Sequence, residues 1–181
     1  NLDVIAVVAE NQDGIVRIKS QGYPQDTVNI TELEPQASEK GCASALIRGV
    51  LAAFKQNGYN IGGFDAYTTS NVLKGSGLSS SAAFEVLVSN IVNGLFNQNK
   101  VDAVTVAKFS QFAEREYFGK PCGLLDQMAS SSGGFTYADF LDPQNPNVEK
   151  IDIDLSASNH TLCVVDTGGN HADLTQDYAD I

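Results

Sequence analysis

A glycine- and serine-rich segment runs directly into a long apolar helical pattern, and this junction restricts the fold more than any other part of the chain. Residues 74–83 read KGSGLSSSAA, and the apolar side chains that follow recur at helical spacing. They are Phe84, Leu87, Val88, Ile91, Val92 and Leu95. The free amides of a first helical turn and the positive end of the helix dipole favour an anion, and glycines let the backbone approach it. We therefore interpret the segment as a phosphate-binding loop, with a serine-rich helix cap as the alternative.

The two commoner phosphate-binding motifs are absent from the sequence. A Walker A loop needs Gly-Lys followed by Ser or Thr, whereas the Gly-Lys pair at Gly119 and Lys120 is followed by Pro121. The chain also has no Gly-x-Gly-x-x-Gly dinucleotide fingerprint. The proposed phosphate loop must therefore be of another kind.

Composition and charge limit the partners of the chain. The net charge of -11 argues against nucleic acid and against an anionic membrane surface. No apolar run is long enough to cross a membrane and no signal peptide is recognisable, which fits the cytoplasmic protein that we expect from the cysteines below. Cys42, Cys122 and Cys163 lack metal-ligand spacing. We expect them to be reduced thiols packed in the interior.

The remaining patterns predict a mixed α+β layer. Helices are expected over residues 43–56, from 83 through the apolar stripe, from 102 to about 117, and over 123–132. Strands are expected over 2–10, 15–19, 27–30, 62–70, 135–141, 148–153 and 160–166, and the first two read as a hairpin around the turn at 11–14. The strands and helices cluster without regular alternation, which favours an α+β fold in one domain over residues 1–181.

The phosphate loop and a second segment together resemble the GHMP kinases, the superfamily of galactokinase, homoserine kinase, mevalonate kinase and phosphomevalonate kinase. Residues 119–127 read GKPCGLLDQ, which is similar to the segment CGIMDQ of the galactokinase family. Both motifs stand in the family's order with a helix between them. The resemblance implies most of a GHMP kinase N-terminal domain, which is like the second domain of ribosomal protein S5, with a mixed β-sheet packed against helices.

This resemblance also implies ATP as co-substrate and Mg²⁺ as cofactor. The residues that match the family's ATP-binding loop are Gly75, Ser76, Gly77, Leu78, Ser79, Ser80 and Ser81. The implied metal ligands are Ser81 and Glu114, with Glu116 as the alternative if the register slips. Without the resemblance, Glu114 reads as an ordinary solvated carboxylate on a helix.

Asp126 matches the catalytic aspartate of the galactokinase family. It either accepts the proton of the anomeric hydroxyl or holds that hydroxyl electrostatically; the residues alone equally fit a helix cap or an ion pair. Gly123 and Tyr178 match positions that contact the sugar, although a glycine at a helix entry is the simpler interpretation of Gly123. Lys74, Arg115 and Lys120 are candidates for steering phosphates, with solvated surface as the simpler interpretation of each.

The activity that the resemblance implies is transfer of the ATP γ-phosphate to the C1 hydroxyl of galactose, which gives galactose 1-phosphate. The family's N-terminal galactose signature and the glycine-rich motif of its C-terminal domain do not occur in the 181 residues, so we expect this chain alone to be inactive. Two alternatives remain open: a galactokinase-like sensor that binds sugar and ATP, and a GHMP sugar kinase of other specificity. The serines at 79–81 and Asp126 favour an enzyme over the sensor.

Overall fold

A mixed β-sheet of four strands packs against helices in this protein, whose computed structural model describes residues 2–72 and 77–165. The strands are β1 (Val4–Glu10), β2 (Ile15–Ser20), β3 (Gln25–Asn29) and β4 (Phe64–Ser70), in the order β1-β4-β2-β3. β4 runs antiparallel to β1 and parallel to β2. The predicted α+β class with a mixed sheet is confirmed.

The predicted hairpin between the first two strands is wrong, because β4 lies between them. Val7 of β1 pairs with Tyr67, and Ile18 of β2 pairs with Ala66 on the other edge of the same strand. After β1, the backbone N–H of Asn11 donates to the carbonyl of Gly63 at 3.0 Å. Because Gly63 directly precedes β4, the connection between β1 and β2 contacts the start of β4 instead of closing a hairpin. The hairpin that does form joins β2 to β3. Period-2 alternation predicts strands but does not say which strands are neighbours.

Three helices, α1 (Ala43–Gln56), α2 (Ser80–Asn97) and α3 (Ala103–Phe112), form most of the helical layer. A π-helical turn (Ala113–Phe118) and a short helix α4 (Leu125–Ser132) follow. The sheet and the first two helices share one core, which includes the completely buried Val16, Ile18, Ile47, Leu51, Phe54, Phe64, Val88 and Val92. The bounds of α1 match the prediction, and α2 begins three residues earlier than predicted.

Gly49 brings α1 close to the start of the π-helical turn. A Cβ atom at this position would lie 2.7 Å from the Cα of Ala113, a distance that real Cβ atoms do not tolerate against backbone. The backbone of α1 thus lies directly against the residue that precedes Glu114. A glycine inside a helix is therefore explained here by packing rather than by a turn.

Some smaller predictions are corrected. β5 (Phe135–Asp139) and β6 (Asn147–Ile151) form the second hairpin as expected, but residues 160–165 form no strand. Cys42 and Cys163 are exposed and Cys122 is half-buried, whereas all three were expected inside. Cys42 is exposed because it precedes the first residue of α1, where the chain enters from the surface. No helix in the described ranges is both long and apolar enough to cross a membrane.

The buried side of α2 also differs from the predicted stripe. Ile91 is buried as expected, but Leu87 is only half-buried at the edge of the core. Glu85 and Ser89 take completely buried positions instead. The difference arises because α2 packs against α3 and α4 as well as the sheet, so its buried surface includes polar side chains.

Candidate active site

The phosphate loop enters α2 through two left-handed residues, Gly77 with φ of 73° and Ser79 with φ of 57°. A left-handed serine is uncommon and strained, and such residues concentrate at functional sites. The side chain of Ser79 makes no capping hydrogen bond to α2. The hydroxyl of Ser79 therefore does not cap α2, as the helix-cap interpretation requires. The described part of the loop leaves the backbone amides in the first turn of α2 available to a ligand. Gly75 and Ser76 lie outside the described residues, as does Lys74.

Ser81 in the first turn of α2 meets Glu114 in the π-helical turn. The hydroxyl of Ser81 donates to Oε1 of Glu114 at 2.9 Å, and Glu114 is only 2% exposed. Glu116, the alternative in the sequence, is exposed to solvent. The structure thus brings together the two residues predicted as metal ligands, and it is Glu114 rather than Glu116 that faces the loop.

Helical spacing explains this choice of glutamate, which is the second residue of the π-helical turn. The amides of Gly119 and Lys120 both donate to the backbone carbonyl of Glu114, at 3.0 and 3.1 Å. Glu114 stands four residues after Ser110 and seven after Ala107, which are both completely buried, so it continues the buried side of α3, whereas the alternative glutamate is exposed. Isolated π-helical turns inside α-helices occur frequently at functional sites.

Lys120 contacts the same carboxylate oxygen of Glu114 as Ser81 does. Its ammonium group lies 3.0 Å from Oε1 of Glu114, and its side chain is 40% exposed. Burial by itself lowers the pKa of Lys120, but the hydrogen bond and the negative charge of Glu114 outweigh burial and raise it. The sequence allowed Lys120 to be an ordinary solvated surface lysine. The structure corrects this, because the ammonium group of Lys120 neutralises a buried carboxylate.

Gln127 of α4 reaches the other oxygen of Glu114 and a second acid. Its Nε2 atom donates to Oε2 of Glu114 at 2.7 Å and to Oε2 of Glu85 at 3.1 Å. Both Glu85 and Gln127 are 0% exposed. Burial first, and then the negative charge of Glu114, raise the pKa of Glu85 to about 8. Glu85 therefore carries a proton at neutral pH.

The sequence reasoning did not find Glu85, although a signal for it exists. Glu85 is the only charged residue in the 18 residues of α2, and it stands one helical turn after Ser81. A single acid on an apolar helix that begins at a phosphate loop is a candidate for a buried functional group. Gln127 was part of the second motif, but its contact with two carboxylates depends on the tertiary structure.

The predicted sugar-site residues are only partly described. Asp126 is exposed in the first turn of α4, next to Gln127, and its charge contributes to the raised pKa of Glu85. Gly123 is exposed, and a Cβ there would meet nothing within 4 Å. The described residues therefore leave room for a side chain at position 123, and steric crowding by them does not explain the glycine. Tyr178 lies outside the described residues.

The donors around Ser81 fit a small hard cation. Mg²⁺ takes one or two protein carboxylates, other oxygens and substrate phosphates, and it retains waters. A hydroxyl 2.9 Å from a buried carboxylate beside an anion-binding helix terminus offers that kind of partial shell. No group of three or more His, Cys, Asp or Glu side chains within 2–72 and 77–165 has the arrangement of a complete protein cage for a metal.

Comparison of the sequence with known protein families identifies the family of this chain. Residues 45–134 match the sequence profile of the GHMP kinases N terminal domain. The chain carries this domain and belongs to the GHMP kinase superfamily.

Individual relatives show how far the similarity extends. The chain is 33% identical over 174 residues to a galactokinase of Streptomyces coelicolor, which covers 96% of this chain and 45% of that protein. Its fold is similar to that of a Lactococcus lactis galactokinase solved with galactose (TM-score 0.69, 22% identity, 85% of this chain and 40% of the other covered). It is also similar to a Methanococcus jannaschii mevalonate kinase (TM-score 0.66, 15% identity, 87% and 48% covered). The chain thus spans less than half the length of these relatives.

Proposed function

We propose that this chain is the phosphate- and metal-binding part of an ATP-dependent sugar kinase that phosphorylates galactose at its C1 hydroxyl. One observation carries the proposal: Ser81 at the end of the phosphate loop lies 2.9 Å from the buried carboxylate of Glu114. The 33% identity to a galactokinase favours galactose as the acceptor. On this proposal, residues 1–181 form most of the N-terminal domain of a longer protein.

Each residue of the site then has a role in positioning charge. The amides of residues 75–81 hold ATP phosphates at the N-terminus of α2. Ser81 and Glu114 hold Mg²⁺, which when bound offsets the negative charge of the phosphates. Lys120, beside Glu114, adds a positive charge at the edge of the same cluster.

The acceptor side of the site involves α4. Asp126 lies at the exposed face of this helix, where its carboxylate accepts the proton of the C1 hydroxyl or holds that hydroxyl in line with the phosphate. The backbone at Gly123 and the side chain of Tyr178 contact the sugar. Because a loose phosphoryl-transfer transition state needs little covalent help, alignment is the main contribution of these residues.

A GHMP kinase with another acceptor is the second candidate. The fold is nearly as similar to a mevalonate kinase, at a TM-score of 0.66, as to a galactokinase, at 0.69. Fold similarity alone therefore does not select the acceptor.

Steady-state assays of the full-length protein distinguish these candidates. ADP release is measured with Mg²⁺-ATP and each of galactose, glucose, mannose and mevalonate, and galactose should have the highest kcat/KM. Glu114→Gln should abolish most of the activity, whereas the matched variant Glu116→Gln, on the exposed side of the same turn, should retain it. A higher kcat/KM for another acceptor rejects galactose, and equal activity of the two variants rejects the role of Glu114.

A further inference from the structure

A buried chain of three polar side chains lies behind Ser81, and the roles proposed above do not include two of its members. Glu85 on α2, Gln127 on α4 and Glu114 on the π-helical turn are each at most 2% exposed. The single Nε2 atom of Gln127 donates both of its protons, one to each glutamate. Three separate segments of the chain are therefore joined at one amide group.

The amide of Gln127 has only one favourable orientation in this cluster. With Nε2 turned inward, its two N–H groups match two carboxyl oxygens; with the amide reversed, its carbonyl would face them instead. The carbonyl oxygen of Gln127 and Oε1 of Glu85 have no hydrogen-bond partner among the described residues. Buried polar groups without partners destabilise a fold, so stability alone does not explain why these groups are here.

We propose that Gln127 and Glu85 are positioning residues, which hold Glu114 in the orientation that directs its Oε1 atom to Ser81 and to the metal. Gln127 holds Oε2 of Glu114, and this leaves Oε1 on the side of the phosphate loop. Oε2 of Glu85 accepts the second N–H of Gln127 and so holds the amide from the side of α2, while the charged carboxylate of Glu114 disfavours the reversed amide. The metal role of Glu114 rests on the proposed function, whereas its orientation by Gln127 does not.

Metal binding in the full-length protein provides the first test. Mn²⁺ binding in the presence of a non-hydrolysable ATP analogue is followed by electron paramagnetic resonance. Replacing the partners of a metal ligand typically weakens metal binding about 10- to 100-fold, and we expect this for Gln127→Leu and Glu85→Leu. Glu85→Gln keeps a carbonyl oxygen for the N–H of Gln127, so it should restore most of the affinity.

Ser89→Ala is the matched control. Ser89 is buried on α2 one turn after Glu85, and its hydroxyl lies 3.0 Å from that of Ser110 on α3. The substitution removes a buried polar contact of the same helix away from Glu114, and it should leave Mn²⁺ affinity unchanged. Affinity that is unchanged in Glu85→Leu, or that falls equally in Ser89→Ala, overturns the inference.

Two structural measurements do not depend on any catalytic activity. In nuclear magnetic resonance spectra, the side-chain amide protons of Gln127 should exchange slowly in the wild type and in Glu85→Gln, and rapidly in Glu85→Leu. A crystal structure of Gln127→Leu should show Glu114 turned away from Ser81. If the wild type binds no Mn²⁺-nucleotide, the proposed function fails, and these measurements still decide the positioning. Slow exchange of the Gln127 amide protons in Glu85→Leu, or an unmoved Glu114 side chain in Gln127→Leu, overturns the proposed positioning role.

Discussion

Helices α1 and α2 each bury a charged residue, but the two residues have different surroundings. Arg48 of α1 is 3% exposed, and Glu39 contacts it twice, at 2.6 and 2.7 Å. Glu85 of α2 is also buried, but among the described residues its hydrogen-bond partner is the neutral amide of Gln127, and a second carboxylate lies nearby. The first arrangement balances charge and joins α1 to the segment before it. The second leaves an acid protonated next to the proposed metal ligand, as expected where chemistry rather than stability selects the residues.

This difference also appears in the pKa values of the two residues. Although burial lowers the pKa of Arg48, its hydrogen bond with Glu39 has the larger effect and raises it, so the ion pair favours the charged form. Burial and Glu114 together raise the pKa of Glu85, so its environment disfavours the charged form. The ion pair with Glu39 thus stabilises the charged form of Arg48, whereas burial and a nearby carboxylate destabilise the charged form of Glu85.

The largest effect is expected from Asp126→Asn. This variant changes an exposed residue next to Gln127 and leaves the three buried side chains of Glu85, Gln127 and Glu114 unchanged. In the full-length protein, turnover should fall by several orders of magnitude, because the variant keeps the size of the side chain but loses its charge and proton acceptor. Each tenfold loss corresponds to about 1.4 kcal/mol of barrier. The free energy of unfolding should hardly change, since Asp126 is exposed. Near-normal turnover in steady-state assays would remove Asp126 from the mechanism.

The next effect concerns the ion pair of α1. Arg48→Met leaves Glu39 without its partner, and breaking a buried pair typically destabilises a fold by about 3–5 kcal/mol. We expect the low end of this range because the side chain of Glu39 remains 16% exposed. Urea unfolding measures the loss, and Mn²⁺ affinity serves as the control that should stay constant. A loss of metal affinity in this variant would contradict the separation between the two regions.

A pH effect is expected from Glu85. Its pKa is about 8 in the folded protein against an ordinary value of 4.5, so between these pH values the folded state holds a proton that the unfolded state has released. Stability from this group is therefore fully present below about pH 4.5 and is lost as the pH rises towards 8, by at most about 1.4 kcal/mol per pH unit. The groups that act on Glu85 are Glu114, Lys120, Asp126 and Gln127.

Urea unfolding between pH 5 and 8 measures this slope, with Glu85→Gln as the comparison. The variant cannot titrate at this position, so its stability should fall less steeply than that of the wild type. Identical slopes would show that Glu85 is already ionised in the folded protein.

A smaller change in stability than for Arg48→Met is expected from Ser81→Ala. The variant loses the hydrogen bond to Glu114, which contributes on the order of 1 kcal/mol. It also loses a proposed Mg²⁺ ligand, so the Mg²⁺ concentration needed for half-maximal activity should rise in the full-length protein. An unchanged Mg²⁺ titration would assign Ser81 to the stability of the helix terminus alone.

Local patterns were sufficient for much of the fold. The bounds of α1 were predicted because its apolar spacing, and the stop at Asn57 and Gly58, lie within the helix and the residues next to it. The existence of α2 was predicted for the same reason, although it begins three residues earlier than its apolar pattern indicates. The position of β4 between β1 and β2 was not, because strand neighbours depend on hydrogen bonds between residues far apart in sequence.

In the candidate site, too, some features could be predicted from the sequence, whereas others depended on the tertiary structure. Ser81, Glu114 and Asp126 were predicted as site residues because they match positions of the family in two motifs and the helix between them. The contact of Glu114 with Ser81 was decided by the tertiary structure, as was the contact of Gln127 with Glu85, which depends on the packing of α4 against α2. The protonation of Glu85 likewise follows from the tertiary structure, because burial and the charges of residues distant in sequence raise its pKa. A sequence specifies which groups can ionise, but their solvent access and neighbours exist only in the folded chain.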